Sequence, residues 1–308
     1  MRKVLLIAIL ALLVISTFGQ QFTDFYGDYL GQTPPGDTPV VFARGIVSTD
    51  YQEHGASSFS PDGNEVFWQT NQRPRSENEK WQFIPMTMRR IGGRWTASEV
   101  SPYGDGAVFS PDGKRLYFGS KEKGEDPYYV EKQGNRWSEP KYVGLVSRFP
   151  ELQCAYFPSI ASNGTLYFMG YLKGQWADIG IYRAELINGE YAKPELLPSS
   201  INTMGGIRNW TPFIAPDESY LIFCSTRGLP SSDQGDLFIC FRQPDGSWPE
   251  PISLGTLINT NQLERFPAVS PDGKYLFFTR DTPDHDEDVY WVSAKLIDRL
   301  KEKNNAKK

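Results

Sequence analysis

Phe59-Ser60-Pro61-Asp62-Gly63 is written again as Phe109-Ser110-Pro111-Asp112-Gly113 and once more as Val269-Ser270-Pro271-Asp272-Gly273. Degenerate copies stand between them at Ala161-Ser162-Asn163-Gly164 and Ala215-Pro216-Asp217-Glu218. The aligned Asp/Asn positions are 62, 112, 163, 217 and 272, at intervals of 50, 51, 54 and 55 residues. A period near fifty residues marks an array of one repeated supersecondary unit. Within the phrase, Pro presets φ, Asp bonds the backbone ahead of it and Gly takes positive φ, so it reads as a hairpin turn.

Each copy leads into a short run of aromatic and branched residues: Glu65-Val66-Phe67-Trp68, Arg115-Leu116-Tyr117-Phe118, Thr165-Leu166-Tyr167-Phe168, Tyr220-Leu221-Ile222-Phe223 and Tyr275-Leu276-Phe277-Phe278. Such runs, bounded by Gly and Pro, predict strands. A third strand follows a variable loop, as at Tyr128-Tyr129-Val130 and Leu237-Phe238-Ile239. A second turn then carries an aromatic residue: Trp95, Trp137, Tyr191 or Trp248. A fourth strand runs on to the next unit. Four antiparallel strands repeated radially make a propeller blade. The fifth unit lacks its aromatic turn and fourth strand. Residues 38–48 resemble 251–259, the fourth strand of unit four and its exit. The expectation is therefore an all-β, five-bladed propeller over residues 38–294 whose last blade is closed by an N-terminal strand, removing two exposed sheet edges.

The Ser-Pro-Asp-Gly repeat followed by a β-aromatic run resembles the WD40-like repeat of TolB-type propeller proteins, over roughly residues 38–294. The resemblance implies a propeller. It implies little about activity, because the matching residues are turn residues. TolB-type proteins also carry an N-terminal domain for which these repeats leave no room, so their partners are not carried over.

Arg2-Lys3, then an apolar run from Val4 to Ile15, then Ser16-Thr17-Phe18-Gly19 describe a secretory signal peptide over residues 1–19. The run is too short for a membrane-spanning helix, which needs about 20 residues. No Cys follows it to take a lipid. A periplasmic or extracellular location is expected, with residues 20–37 as a lead segment and 295–308 as a Lys-rich tail. The formal charge of −5 becomes −7 without Arg2 and Lys3. An acidic body argues against nucleic acid as a partner. The three cysteines, Cys154, Cys224 and Cys240, include two that fall on neighbouring strands, where a disulfide is allowed but not required.

On a propeller the Pro-Asp-Gly and aromatic turns share one face. The segments leading into each inner strand share the opposite face with the loops between strands two and three, and there the repeats disagree. Variable loops on a rigid scaffold are where binding usually sits, and the channel mouth is the default concave site. The residues expected there are Glu53, His54, Asp105, Glu151, Arg208, Asn209, Trp210, Glu264 and Arg265. Carboxylates, arginines and an aromatic platform suit a glycan or another polar ligand; mutual ion pairing between blades is the simpler account of the same charges. Most aromatics sit at repeated positions and are read as packing, with Trp176 and Trp210 as exceptions. Asp284, Asp286 and Asp288 offer oxygens to Ca²⁺ but without the spacing or the Gly of an EF-hand. No cofactor and no catalytic residue is assigned. The expected function is a module binding an envelope or extracellular protein or a glycan; the alternative is a glycosidase-like enzyme using carboxylates at the channel mouth.

Overall fold

The computed structural model describes residues 25–306, apart from 56, 73–81, 120–125, 135, 204, 231–233 and 284–286. The segment read as a signal peptide lies outside the described residues. Five antiparallel four-stranded sheets form a ring, a five-bladed β-propeller. From inner to outer strand, blade one comprises Ser58–Phe59, Glu65–Gln72, Gln82–Ile91 and Glu99–Val100. Blade two comprises Val108–Phe109, Arg115–Phe118, Tyr128–Gln133 and Lys141–Tyr142, and blade three Leu152–Ile160, Leu166–Leu172, Gly180–Ala184 and Glu195–Leu196. Blade four comprises Asn209–Ile214, Tyr220–Ser225, Asp236–Phe241 and Ile252–Ser253. Blade five takes Glu264–Val269, Tyr275–Asp281 and Glu287–Ser293 from the end of the chain and Val40–Val41 from its beginning. Val40 pairs with Trp291 and Val41 with Tyr290, which closes the ring.

The second strand of each blade explains why its sequence does not alternate. Val66, Leu116, Leu166, Leu221 and Leu276 are all fully buried, and so, almost entirely, are their neighbours Phe67, Tyr117, Tyr167, Ile222 and Phe277. Both faces of the strand are covered by adjoining blades, so both must be apolar. The aromatic turns also pack inward. Trp95, Tyr191 and Trp248 are buried, and the Tyr191 hydroxyl lies 2.9 Å from that of Tyr117.

The turn phrase folds as its residues require. In blades one, two and five the serine hydroxyl donates to the Asp two residues on (2.6, 2.7 and 2.7 Å) and accepts the backbone N–H five residues on (2.9, 2.9 and 3.0 Å). Gly63, Gly113 and Gly273 sit at φ of 67°, 68° and 71°, where a side chain is strained.

A second device recurs at the blade exits and is not visible as a repeat. Ser48, Asn202 and Asn259 each bond both the N–H and the C=O of a third-strand residue, at Val289, Ile181 and Leu237 respectively. Each is followed by a threonine. The described part of the lead segment straps the seam between blades five and one. Leu30 is fully buried, Trp95 Nε1 donates to the Gly27 carbonyl (2.8 Å), and the Tyr29 hydroxyl donates to Asp272 (2.7 Å). The tail forms a helix, Lys295–Asn305, which buries Leu296 and Ile297 against the core of blades four and five. No helix among the described residues is long and apolar enough to cross a membrane.

Candidate functional site

The inner strands enclose a central cavity of about 300 Å³. At the turn face its wall is made by Pro61, Pro111, Pro216 and Pro271 of the repeated phrase. Sequence reasoning sets that face aside as remote from any site; the cavity nonetheless runs down to its prolines. At the variable face the wall is His54, Phe157 and Phe266. His54 of blade one stands on Phe266 of blade five at 4.8 Å between centroids, and Phe157 of blade three stands on the same ring at 5.0 Å. Blades three and five are not neighbours, so this contact spans the channel and narrows it.

A bulge in the inner strands aims these side chains. Gly106, Phe157, Thr211 and Phe266 have φ of 61°, 53°, 47° and 51° and all line the cavity. Their spacing follows that of the turns, so blades two to five share one left-handed position. For a residue other than Gly this costs about 1–2 kcal/mol. The register of the inner strand slips at the same place in blades three, four and five, as a β-bulge requires. The sequence hides this repeat because only Gly106 belongs to the residue type that the conformation favours.

The charges at the variable face gather at the seam between blades five and one. Arg265 donates to both oxygens of Glu287 (2.8 and 2.7 Å), Thr279 donates to one of them, and His54 Nδ1 lies 3.3 Å from the other. Glu287 is completely buried. Burial by itself raises a carboxyl pKa, but here the Arg265 charge and the hydrogen bonds from His54 and Arg265 overcome it and hold Glu287 at about 2. The Glu53 backbone N–H donates to the Glu287 carbonyl at 2.8 Å. Its own carboxyl, also fully buried, meets no cation among the described residues: Thr49 and Thr70 donate to Oε1 (2.7 and 3.4 Å), and Oε2 has no hydrogen-bond partner. Burial therefore pushes Glu53 up to about 8, against the two hydroxyls. Sequence reasoning names Glu53, His54 and Arg265. It misses Glu287, which organises them, because that residue reads as the end of an acidic loop.

The other expected residues do not join this group. Glu264 accepts from Thr260 (2.6 Å) and from Arg280 (2.8 Å), so adjacent Glu264 and Arg265 pair with different partners rather than with one another. Glu151 is half exposed and bonds Lys193 at 2.9 Å. The Asp105 carbonyl accepts from the Gly119 N–H at 2.7 Å. Asn209 is buried, and neither amide atom has a partner. Trp210 packs into the core of blades four and five, so it serves as packing rather than as a platform. The exposed platform is Trp176, with the Arg208 guanidinium 4.6 Å above its ring.

Asp284 and Asp286 lie outside the described residues; Asp288 is buried and 3.6 Å from Arg44. Among the described residues no group of three or more His, Cys, Asp or Glu is placed to hold a metal ion. Cys154, Cys224 and Cys240 are buried, and none is in a disulfide. Cys224 faces Leu237 and Cys240 faces Leu221, which puts them at separate rungs of the same strand pair.

No family model matches the chain and no curated protein matches it. Solved structures do. Kuenenia stuttgartiensis hydrazine synthase is similar at 15% identity and a TM-score of 0.42, covering 75% of each chain. A puromycin hydrolase, the S511A mutant complexed with PGG, is similar at 17% and 0.45, covering 83% of this chain and 38% of that one. A GH43 glycoside hydrolase is similar at 12% and 0.46, covering 82% and 51%. The chain thus spans well under two thirds of the two hydrolases, and at these identities the likeness concerns propeller architecture and not chemistry.

Proposed function

We propose that this chain is a non-catalytic binding module of the periplasm or extracellular space, related to the TolB-type propellers through its Ser-Pro-Asp-Gly repeat, and that a partner protein docks on its variable face. One observation supports the reading: among the described residues no carboxylate lines the central cavity. Glycoside hydrolysis needs two carboxyl groups about 5–10 Å apart across the sugar. Here Glu264 and Glu287 are ion-paired, Glu151 is on the outside with Lys193, and Glu53 is sealed beneath two threonines. In contrast, Tyr51, Phe83, Trp176 and Leu257 are exposed, at 38, 38, 60 and 59%, on the segments that make the variable face. Aromatic and Arg anchors are the usual hot spots of protein interfaces. The stacked Trp176–Arg208 pair also favours a second reading, an acidic glycan held by ring and guanidinium.

The test is capture. Immobilised protein is crosslinked in extracts of the source envelope, alongside the Trp176→Ala/Arg208→Ala double variant and a glycan array. A captured protein that the variant loses about 30-fold, the weight of one 2 kcal/mol hot spot, supports the reading. Equal capture by the variant sinks the face assignment, and array binding without protein capture transfers the site to a glycan. N-terminal sequencing of the secreted form, expected to begin at Gln20, tests the location.

A further inference from the structure

We propose that the central cavity is a second binding site, for a small neutral aromatic molecule of two fused rings bearing a hydroxyl group. The volume sets the size. A dry apolar cavity of about 150 Å³ takes one benzene ring, and this one holds about 300 Å³. The wall sets the polarity: Pro158, Pro212 and Pro267 form its middle, with Phe109, Ile160 and Val269 beside them. Pockets of this kind bind through apolar area and are oriented by a few polar groups.

Two polar groups at the wall are available. Ser57 lines the cavity, and its Oγ is buried with no hydrogen-bond partner among the described residues. Such an atom is costly unless something completes it. His54 lines the cavity with Nδ1 engaged by Glu287. If Nδ1 carries the proton, Nε2 is left as an acceptor, which suits a ligand that donates an O–H. The site selects against charge. Among the described residues its wall has no carboxylate and no lysine, and Arg265 and Glu287, which stand beside His54 and Phe266, already neutralise each other through two bonds. The recurring bulge is the third observation. Four blades adopt a left-handed conformation at a shared position that lines this cavity, three of them with a residue other than Gly, and strain of that kind gathers at ligand clamps.

The experiment uses the full secreted chain and 2-naphthol, with 2-naphthoate and naphthalene as comparisons, by titration calorimetry. The expected result is saturable 2-naphthol binding with Kd below about 1 mM and a negative heat-capacity change, with 2-naphthoate about tenfold weaker. Ala268→Phe and Ser58→Phe, which fill the cavity from two blades, are expected to weaken 2-naphthol about tenfold or more. Ser57→Ala is expected to erase its advantage over naphthalene. No saturable binding to the parent protein overturns the proposal, as does unchanged affinity in either filled variant. Should the filled variants not fold, methyl resonances decide. Shifts confined to the methyl groups of the wall, those of Ala107, Val108, Ile160, Ile214, Ala268 and Val269 among them, support the cavity, and shifts confined to methyl groups away from it overturn it.

Discussion

At the turn face, Asp62, Asp112 and Asp272 stand in water-exposed loops, and each accepts from a serine hydroxyl and a backbone N–H. At the variable face, Glu53, Glu264 and Glu287 carry the same functional group with no exposure at all. The exposed aspartates titrate low: against partial burial, hydrogen bonds from Ser270, Tyr29 and Lys274 hold Asp272 at about 2. The buried glutamates diverge, Glu287 falling to about 2 and Glu53 rising to about 8, although their residues are joined by a backbone hydrogen bond. A repeated loop gives its carboxylates one environment because the donors are local. A buried carboxylate depends on which cation the rest of the fold brings to it.

Removing that cation is the strongest way to break the contrast. Arg265→Met leaves Glu287 buried without its guanidinium partner, with only Thr279 and His54 still on it, and should cost about 3–5 kcal/mol in urea unfolding at neutral pH. The Arg265→Met/Glu287→Met double variant should recover most of it. Recovery fails if the pair stabilises through more than charge balance.

Glu53 gives the next largest effect and fixes its sign. Its folded pKa, about 8, lies above the ordinary 4.5. The folded chain therefore holds a proton that the unfolded chain has released, and this stability is complete below 4.5 and lost as pH rises towards 8. Glu287 and Asp272 act in the other direction: their contribution is present above the ordinary carboxyl range and lost as pH falls towards 2. Glu53→Gln should flatten the fall in stability between pH 4.5 and about 8 and leave the fall towards pH 2 intact. An unchanged slope in that upper window would show that Glu53 is ionised in the folded protein.

Smaller effects sharpen the regularity of the turn face. Ser60→Ala, Ser110→Ala and Ser270→Ala should each cost about 1 kcal/mol, and by similar amounts, since the three loops make the same bonds. Glu218→Gly tests the degenerate copies. Glu218 takes the left-handed position that Gly holds elsewhere, at φ 58°. It also accepts from Tyr167 (2.7 Å), Asn163 (3.1 Å) and Arg242 (3.0 Å). Relief of strain and loss of these bonds oppose each other, so a net change within about 1 kcal/mol is expected. A gain well beyond that would mean the bonds contribute nothing.

Legibility followed the range of the interactions. The turn phrase, the non-alternating second strands and the closure by residues 40–41 could be read from local pattern and from the likeness of 38–48 to 251–259. The two degenerate turns look like decay of the repeat, yet Asn163 and Glu218 bond across blades three and four and compensate for one another. Of the expected channel-mouth residues, only His54 reaches the cavity, because a side chain's direction there depends on the bulge before Pro158, Pro212 and Pro267. Trp210 and Trp176 looked alike as non-repeating tryptophans. Burial separates them, and a sequence carries no sign of it.

The sequence by itself determined the number of blades, the turn that joins their first two strands and the strand that closes the ring. Each rests on residues near in sequence or on a period that repeats them. Tertiary structure decided which glutamate meets an arginine, which arginine that is and what faces the channel axis. Those outcomes depend on closure of the ring, which brings His54 to Glu287, 233 positions away, and their energies come from burial and from the partners the ring brings together.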